Sequence, residues 1–118
     1  MIGRLHHVIV DCPDPRALAA FYSALLGQPV TYDSDDFAVV SADDTTSGLA
    51  FQRAPGHVPP TAGQQQLHLD FMVDDPTGAG PRVLELGASH LRDDVYLDPA
   101  GHPFCLVRRP GWAAPLQT

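Results

Sequence analysis

The sequence is short of cysteine, short of cationic side chains, and without any long apolar run. Its two cysteines, Cys12 and Cys105, are too few for a dense disulfide framework, and neither belongs to a C-x-x-C pair. Thiols that stay reduced suit a cytoplasmic setting. Seven Lys and Arg face fourteen Asp and Glu, giving a net charge of −7. Nucleic acid needs clustered cations to neutralise its phosphates, so no nucleic-acid partner is expected. No stretch approaches the roughly 20 apolar residues that cross a bilayer, so no membrane partner is expected either. The opening "MIGRLHHVIV" has no charged-then-apolar leader, which again makes the cytoplasm the expected location. Phosphate loops, serine nucleophile elbows and paired-cysteine metal spacings are missing as well. The "DSDD" and "DDP" clusters read as turns, without the regular ligand ladder of a calcium loop.

What the sequence does contain is a repeat. At 118 residues and 44% hydrophobic content it has the size and composition of one soluble domain, too short for two independent cores. Within it, "HVIVDCPDPRALAAFYSALLG" (7–27) lies over "HLDFMVDDPTGAGPRVLELG" (68–87). His7 matches His68, Asp14-Pro15 matches Asp75-Pro76, and Leu26-Gly27 matches Leu86-Gly87. The register holds to within one residue, so the chain reads as two copies of one supersecondary unit.

Local physics agrees with that reading. Val8 and Val10 alternate with His7 and Ile9, and Leu67, Leu69, Phe71 and Val73 alternate with His68, Asp70 and Met72, the mark of a two-faced strand. Asp-Pro opens a helix well, because the carboxylate accepts from free amides and proline suits the first helical position. Leu18, Phe21, Tyr22, Leu25 and Leu26 then form one apolar stripe, ended by Gly27 and barred from continuing by Pro29. The second helix is expected to be shorter, from near Pro81 to Gly87, because Gly78, Gly80 and Pro81 come early.

Strand-like pieces follow each helix. They are "PVTYD", "FAVVSA" and "GLAFQRA" in the first half, and "SHLRD", "DVYLD" and "PFCLVRR" in the second. The expected fold is therefore α+β, a single domain over 1–118 made of two βαβββ units at about 4–54 and 65–109. Residues 54–65, rich in Pro and Gly, form the linker. The two units form a curled mixed sheet around a cleft, with the helices on its outer face. The tail is irregular, with Trp112 expected over a core edge or a partner subunit. If the units pack as near copies, His7 and His68 enter one shared cleft, where two neutral imidazoles held apart are suited to a divalent metal.

The paired units, the FY-x-x-x-LG helix end (Phe21–Gly27), the "HLDFMVDD" strand and the closing "DPAGHPFCLV" resemble the glyoxalase/bleomycin-resistance/dioxygenase superfamily of vicinal oxygen chelate proteins. The resemblance covers roughly residues 4–108. It implies a small-molecule ligand and a homodimer. It also implies metal ligands on the first strand of each unit, matched by His7 and His68, and on the last. At the last-strand carboxylate position stands Cys105, and in "GLAFQRA" the matching residue is Gln52 or Ala50.

With both carboxylates missing, a typical glyoxalase I or ring-cleaving dioxygenase activity is not expected. No cofactor is fixed by this. A divalent metal is the candidate: zinc if Cys105 ionises to complete a His-His-Cys set, otherwise nickel, iron or manganese. His7, His68 and Asp70 are the candidate catalytic residues, with Asp70 as acid–base auxiliary or as the partner that fixes an imidazole tautomer. Gln52, Cys105 and His102 are candidate ligand contacts. The plain alternatives are an apolar-strand thiol for Cys105, a turn residue for His102 and a solvent-facing carboxylate for Asp70. His6 is expected to point away from His7. Two functions stand side by side: a lyase- or isomerase-type enzyme with a degenerate metal site, and a metal-free protein that binds and sequesters an antibiotic or toxin.

Overall fold

The computed structural model of the chain describes residues 1, 4–43, 45–59 and 68–116, divided into two compact units, Met1–Val58 and Pro59–Thr118. The first unit runs β1 (His7–Cys12), α1 (Pro15–Leu26), β2 (Val30–Asp33), β3 (Phe37–Val40) and β4 (Gly48–Arg53). The second repeats the order as β5 (Leu69–Val73), α2 (Pro76–Glu85), β6 (Ser89–Arg92), β7 (Val95–Leu97) and β8 (Pro103–Arg108). Each unit carries its own four-stranded mixed sheet, ordered β1-β4-β3-β2 and β5-β8-β7-β6, and neither sheet closes into a barrel. In each, the outer strand before the helix pairs parallel with the last strand, and the remaining pairs are antiparallel. The fold is α+β, built from two βαβββ repeats as the sequence predicts.

Both helices open as their Asp-Pro dipeptides dictate. The Asp14 carboxylate accepts the Ala17 amide at 3.2 Å, and that of Asp75 accepts the Thr77 amide at 3.1 Å. The α1 stripe buries Leu18, Phe21 and Tyr22, and the Tyr22 ring stacks on Phe51 of β4 with centroids 5.3 Å apart. Gly27 ends the helix at φ 66°, a left-handed conformation that only glycine takes cheaply. In the second unit Phe104 is fully buried between Tyr96, stacked at 5.9 Å, and Phe71, edge-on at 5.6 Å. Full burial of such a ring contributes about 1.5–3 kcal/mol.

Three expectations need correction. Helix α2 begins at Pro76, a full turn before Pro81, and ends at Glu85. Pro81 costs it one intrahelical bond, the one to the Thr77 carbonyl. Gly80 belongs in the helix because the Tyr96 hydroxyl packs where a Cβ would stand. His6 does not point away from His7: it precedes β1, so strand alternation does not bind it, and its ring lies 3.9 Å from that of His7. Trp112, 88% exposed, covers no core edge in this chain, so of its two expected places the core edge falls and the partner subunit stays an expectation. Of the expected linker, residues 60–65 lie outside the described residues, as does Leu67.

Candidate functional site

Side chains directly across a ladder share a face, and successive residues alternate. Phe51 faces α1 through Tyr22, so Gly48, Ala50 and Gln52 of β4 face away from the helix, with His7, Ile9 and Asp11 beside them. In the second unit Phe104 and Tyr96 face α2, so Cys105 and Asp70 lie on the opposite face. One backbone bond recurs in both units: the Ala54 amide donates to the Cys12 carbonyl at 2.9 Å, and the Arg109 amide to that of Val73 at 2.7 Å. That bond sets the repeat register. His7 corresponds to His68, Ile9 to Asp70, and Ala50, not Gln52, to Cys105.

The helix-free faces of the two sheets therefore carry equivalent rows of opposite chemistry. In the first unit the row across the strands is Ile9, Ala50, Val39 and Tyr32. In the second it is Asp70, Cys105, Val95 and Arg92. Each row ends beyond a β-bulge, between Val30 and Tyr32 in one case and between His90 and Arg92 in the other. A bulge adds a residue to one strand and re-aims the side chains after it. His90 thus faces Tyr96 on the helix side, its ring 4.9 Å away, while Arg92, two residues on, is turned to the opposite face.

Beside Asp70 stands His68, whose Nε2 lies 3.3 Å from Asp70 Oδ1. One ligand atom each from His68, Asp70 and Cys105 lie within 4.8 Å of one another. Donors bound at 2.0–2.3 Å in tetrahedral geometry stand roughly 3.3–3.8 Å apart, so the three side chains need only small rotations to meet one ion. Imidazole, carboxylate and thiol together make a set suited to zinc. Burial, then the neighbouring Asp70 carboxylate, which also accepts the S–H, push the Cys105 thiol above its ordinary range; Arg92 opposes this and Asp94 adds to it. The equivalent positions of the first unit offer one donor, His7.

His7 is held differently. Its Nδ1 accepts the Gly48 amide at 3.1 Å, so in the neutral ring the proton sits on Nε2. Desolvation, and secondly His6, hold its pKa below the usual imidazole value. Gln52 is exposed beside Asp11 at the far end of β4. His102 belongs to its turn: its Nδ1 stands 3.1 Å from buried Asp98, whose carboxylate also accepts the Ala100 and His102 amides at 2.8 and 3.0 Å. Arg92 carries no motif in the sequence. The signal that finds it is the two-residue turn Asp93-Asp94, which makes Arg92 and Val95 partners.

That short turn also opens a cleft. Between Tyr32 and Val39 the chain runs over 33–38, so β3 covers β4 as far as Gln52. Between Arg92 and Val95 there is only 93–94, and β7 covers β8 only to Cys105. The uncovered end of β8 borders a cleft of about 540 Å³ whose lining includes Cys105, Val107, Arg108, Thr77 and Asp94.

The glyoxalase-like domain family matches residues 7–107. No curated protein matches the chain in sequence. Among solved structures, a glyoxalase/bleomycin resistance protein/dioxygenase family enzyme from Burkholderia phytofirmans PsJN is 18% identical, with a TM-score of 0.70 over 90% of this chain and 98% of that one. The oxidase ChaP-H2 is 25% identical, with a TM-score of 0.66 over 93% and 96%. The fosfomycin resistance protein FosX from Mesorhizobium loti is 17% identical, with a TM-score of 0.63 over 90% and 91%.

Proposed function

The chain belongs to the glyoxalase-like domain family, and from that premise we propose that it is a small-molecule enzyme of lyase or isomerase type which holds a divalent metal with His68, Asp70 and Cys105. The observation that carries this reading is the asymmetry of the repeat. On one scaffold, the second unit gathers three ligand atoms within 4.8 Å, where the first offers only that of His7. Zinc is the proposed ion, because a thiolate among the donors selects against harder cations such as manganese. Such an ion would polarise an oxygen of the bound molecule, the opening requirement of both reaction types.

The residues would divide the work. Cys105 would bind as the thiolate, its proton passing to water, and Asp70, which accepts the S–H when no ion is bound, would bind through its carboxylate. His68 donates the nitrogen. In the first unit, His7 is proposed as a ligand contact: its Nδ1 is taken up by the Gly48 amide, and the neutral ring is left with Nε2–H as a hydrogen-bond donor. Gln52 offers an exposed amide as a ligand contact. We propose a homodimer, measurable by light scattering. The proposed location is the cytoplasm; among the described residues no helix is long and apolar enough to cross a membrane.

One observation favours a second reading, a metal-free protein that sequesters a small molecule. The Cys105–Asp70 hydrogen bond satisfies part of the donor group without an ion. Elemental analysis of protein purified without an affinity tag separates the two. The enzyme reading expects one zinc per chain in the wild type and its loss in His68→Ala and Cys105→Ser. It also expects a thiolate-to-metal charge-transfer band on cobalt substitution that Cys105→Ser abolishes. Substoichiometric metal in every variant, with the melting temperature indifferent to added zinc and to chelator, would favour the binder.

A further inference from the structure

We propose that Arg92 is a recognition residue for a carboxylate-bearing small molecule, bound along the row Asp70, Cys105, Val95 and Arg92 of the second sheet. Two observations point to it. The bulge between His90 and Arg92 turns this guanidinium onto the face that carries Cys105, away from the helix side where His90 meets Tyr96. Arg92 is exposed, and among the described residues it makes no ion pair, in common with Arg4 and Arg82 and unlike Arg16, Arg53, Arg108 and Arg109. It is also flanked by Asp93 and Asp94, either of which would neutralise it if the sequence required only a solvated surface charge.

The row sets the dimensions of the ligand. Two strand spacings place the Arg92 backbone roughly 9.5 Å from that of Cys105, and the arginine side chain reaches back across part of that gap. Val95 lies between them and supplies an apolar floor for the carbons of a short ligand. A planar guanidinium pairs with a carboxylate through two parallel hydrogen bonds, a geometry an ammonium cannot reproduce. The equivalent of Arg92 in the first unit is Tyr32, so the cation belongs to this row and not to the scaffold.

The far end of the ligand rests on the reading given under Proposed function, since it would meet the group at His68, Asp70 and Cys105. The near end does not.

The probe is succinate, with putrescine as a cationic compound of similar length, titrated calorimetrically into the full chain with and without equimolar zinc. Succinate should bind and putrescine should not. Arg92→Gln should weaken succinate at least tenfold and Arg92→Lys by less, while zinc content stays that of the wild type. Arg82→Gln, the same change of net charge on α2, should leave the affinity unaltered. Equal affinity in Arg92→Gln, preference for putrescine, or no succinate binding by the wild type overturns the proposal. Succinate binding that depends on Arg92 in a protein that takes up no zinc supports it and overturns the metal reading alone.

Discussion

Cys105 lies in the negative field of Asp70 and Asp94, and the thiolate, not the thiol, is what reacts with alkylating agents. A raised thiol pKa therefore slows alkylation near pH 8. It also has a defined sign for folding. The unfolded chain ionises Cys105 first as pH rises, so its contribution to stability is full below the ordinary thiol value and is lost as pH climbs through the folded one. Replacing Asp70 by Asn removes the second-largest cause of the shift and leaves burial, the largest. We expect iodoacetamide to modify Cys105 faster in Asp70→Asn at pH 8, by about threefold per pKa unit recovered, since nucleophilicity falls as the thiolate fraction grows. Cys12 is wholly buried and should stay silent, so a single-site mass shift followed over time reads the effect. A rate unchanged by the substitution would show that burial alone sets the pKa. At this scale the sequence is half legible. Alternation puts His68 and Asp70 on one face, but which residue of the fourth strand lies level with them depends on a ladder register that no local pattern encodes. That is why Gln52 and Ala50 cannot be told apart before the sheet is seen.

The elements show where local propensity yields to packing. Gly78, Gly80 and Pro81 argue against a helix taken one residue at a time, yet α2 runs straight through them. The Asp75 cap and Pro76 nucleate it. Gly80 is then required, because the Tyr96 hydroxyl occupies its side-chain position. On an isolated helix Gly80→Ala would stabilise by about 1 kcal/mol. Here we expect the opposite, a loss of roughly 1–3 kcal/mol, because Tyr96 is pinned by its stack on Phe104 and cannot swing away. Combining Gly80→Ala with Tyr96→Phe should restore most of that loss in urea unfolding, since the clash is with the hydroxyl. A double variant no more stable than Gly80→Ala would mean that the backbone, not the hydroxyl, opposes the methyl group. The tyrosine lies on β7, so its demand on α2 is a tertiary one that a reading of residues 76–87 misses. The two bulges are hidden for the same reason: they are properties of paired strands.

Across the whole molecule, the repeat is the feature most openly written in the chain, because His7 with His68 and Asp14-Pro15 with Asp75-Pro76 recur at fixed spacing. The structure adds that the duplicated backbone is nearly neutral as to chemistry. The same positions hold Ile9, Ala50 and Tyr32 on one sheet and Asp70, Cys105 and Arg92 on the other. If ladder register alone brings the donor atoms together, the group can be moved. Ile9→Asp with Ala50→Cys would set a carboxylate and a thiol beside His7, as Asp70 and Cys105 stand beside His68. Ile9 is half exposed and accepts the charge readily, whereas Ala50 is fully buried, so the added sulfur costs on the order of 1–3 kcal/mol of overpacking. We expect the folded double variant to take up one more equivalent of zinc than the wild type by elemental analysis, and either single variant to take up none beyond it. His7 must give up the Gly48 hydrogen bond whether it binds through Nδ1 or through Nε2 with its proton moved to Nδ1, so the added site should be the weaker of the two. Unchanged stoichiometry in a double variant that still melts cooperatively would locate the specificity of the second unit outside its row, in the short Asp93-Asp94 turn and the cleft it opens beside Cys105.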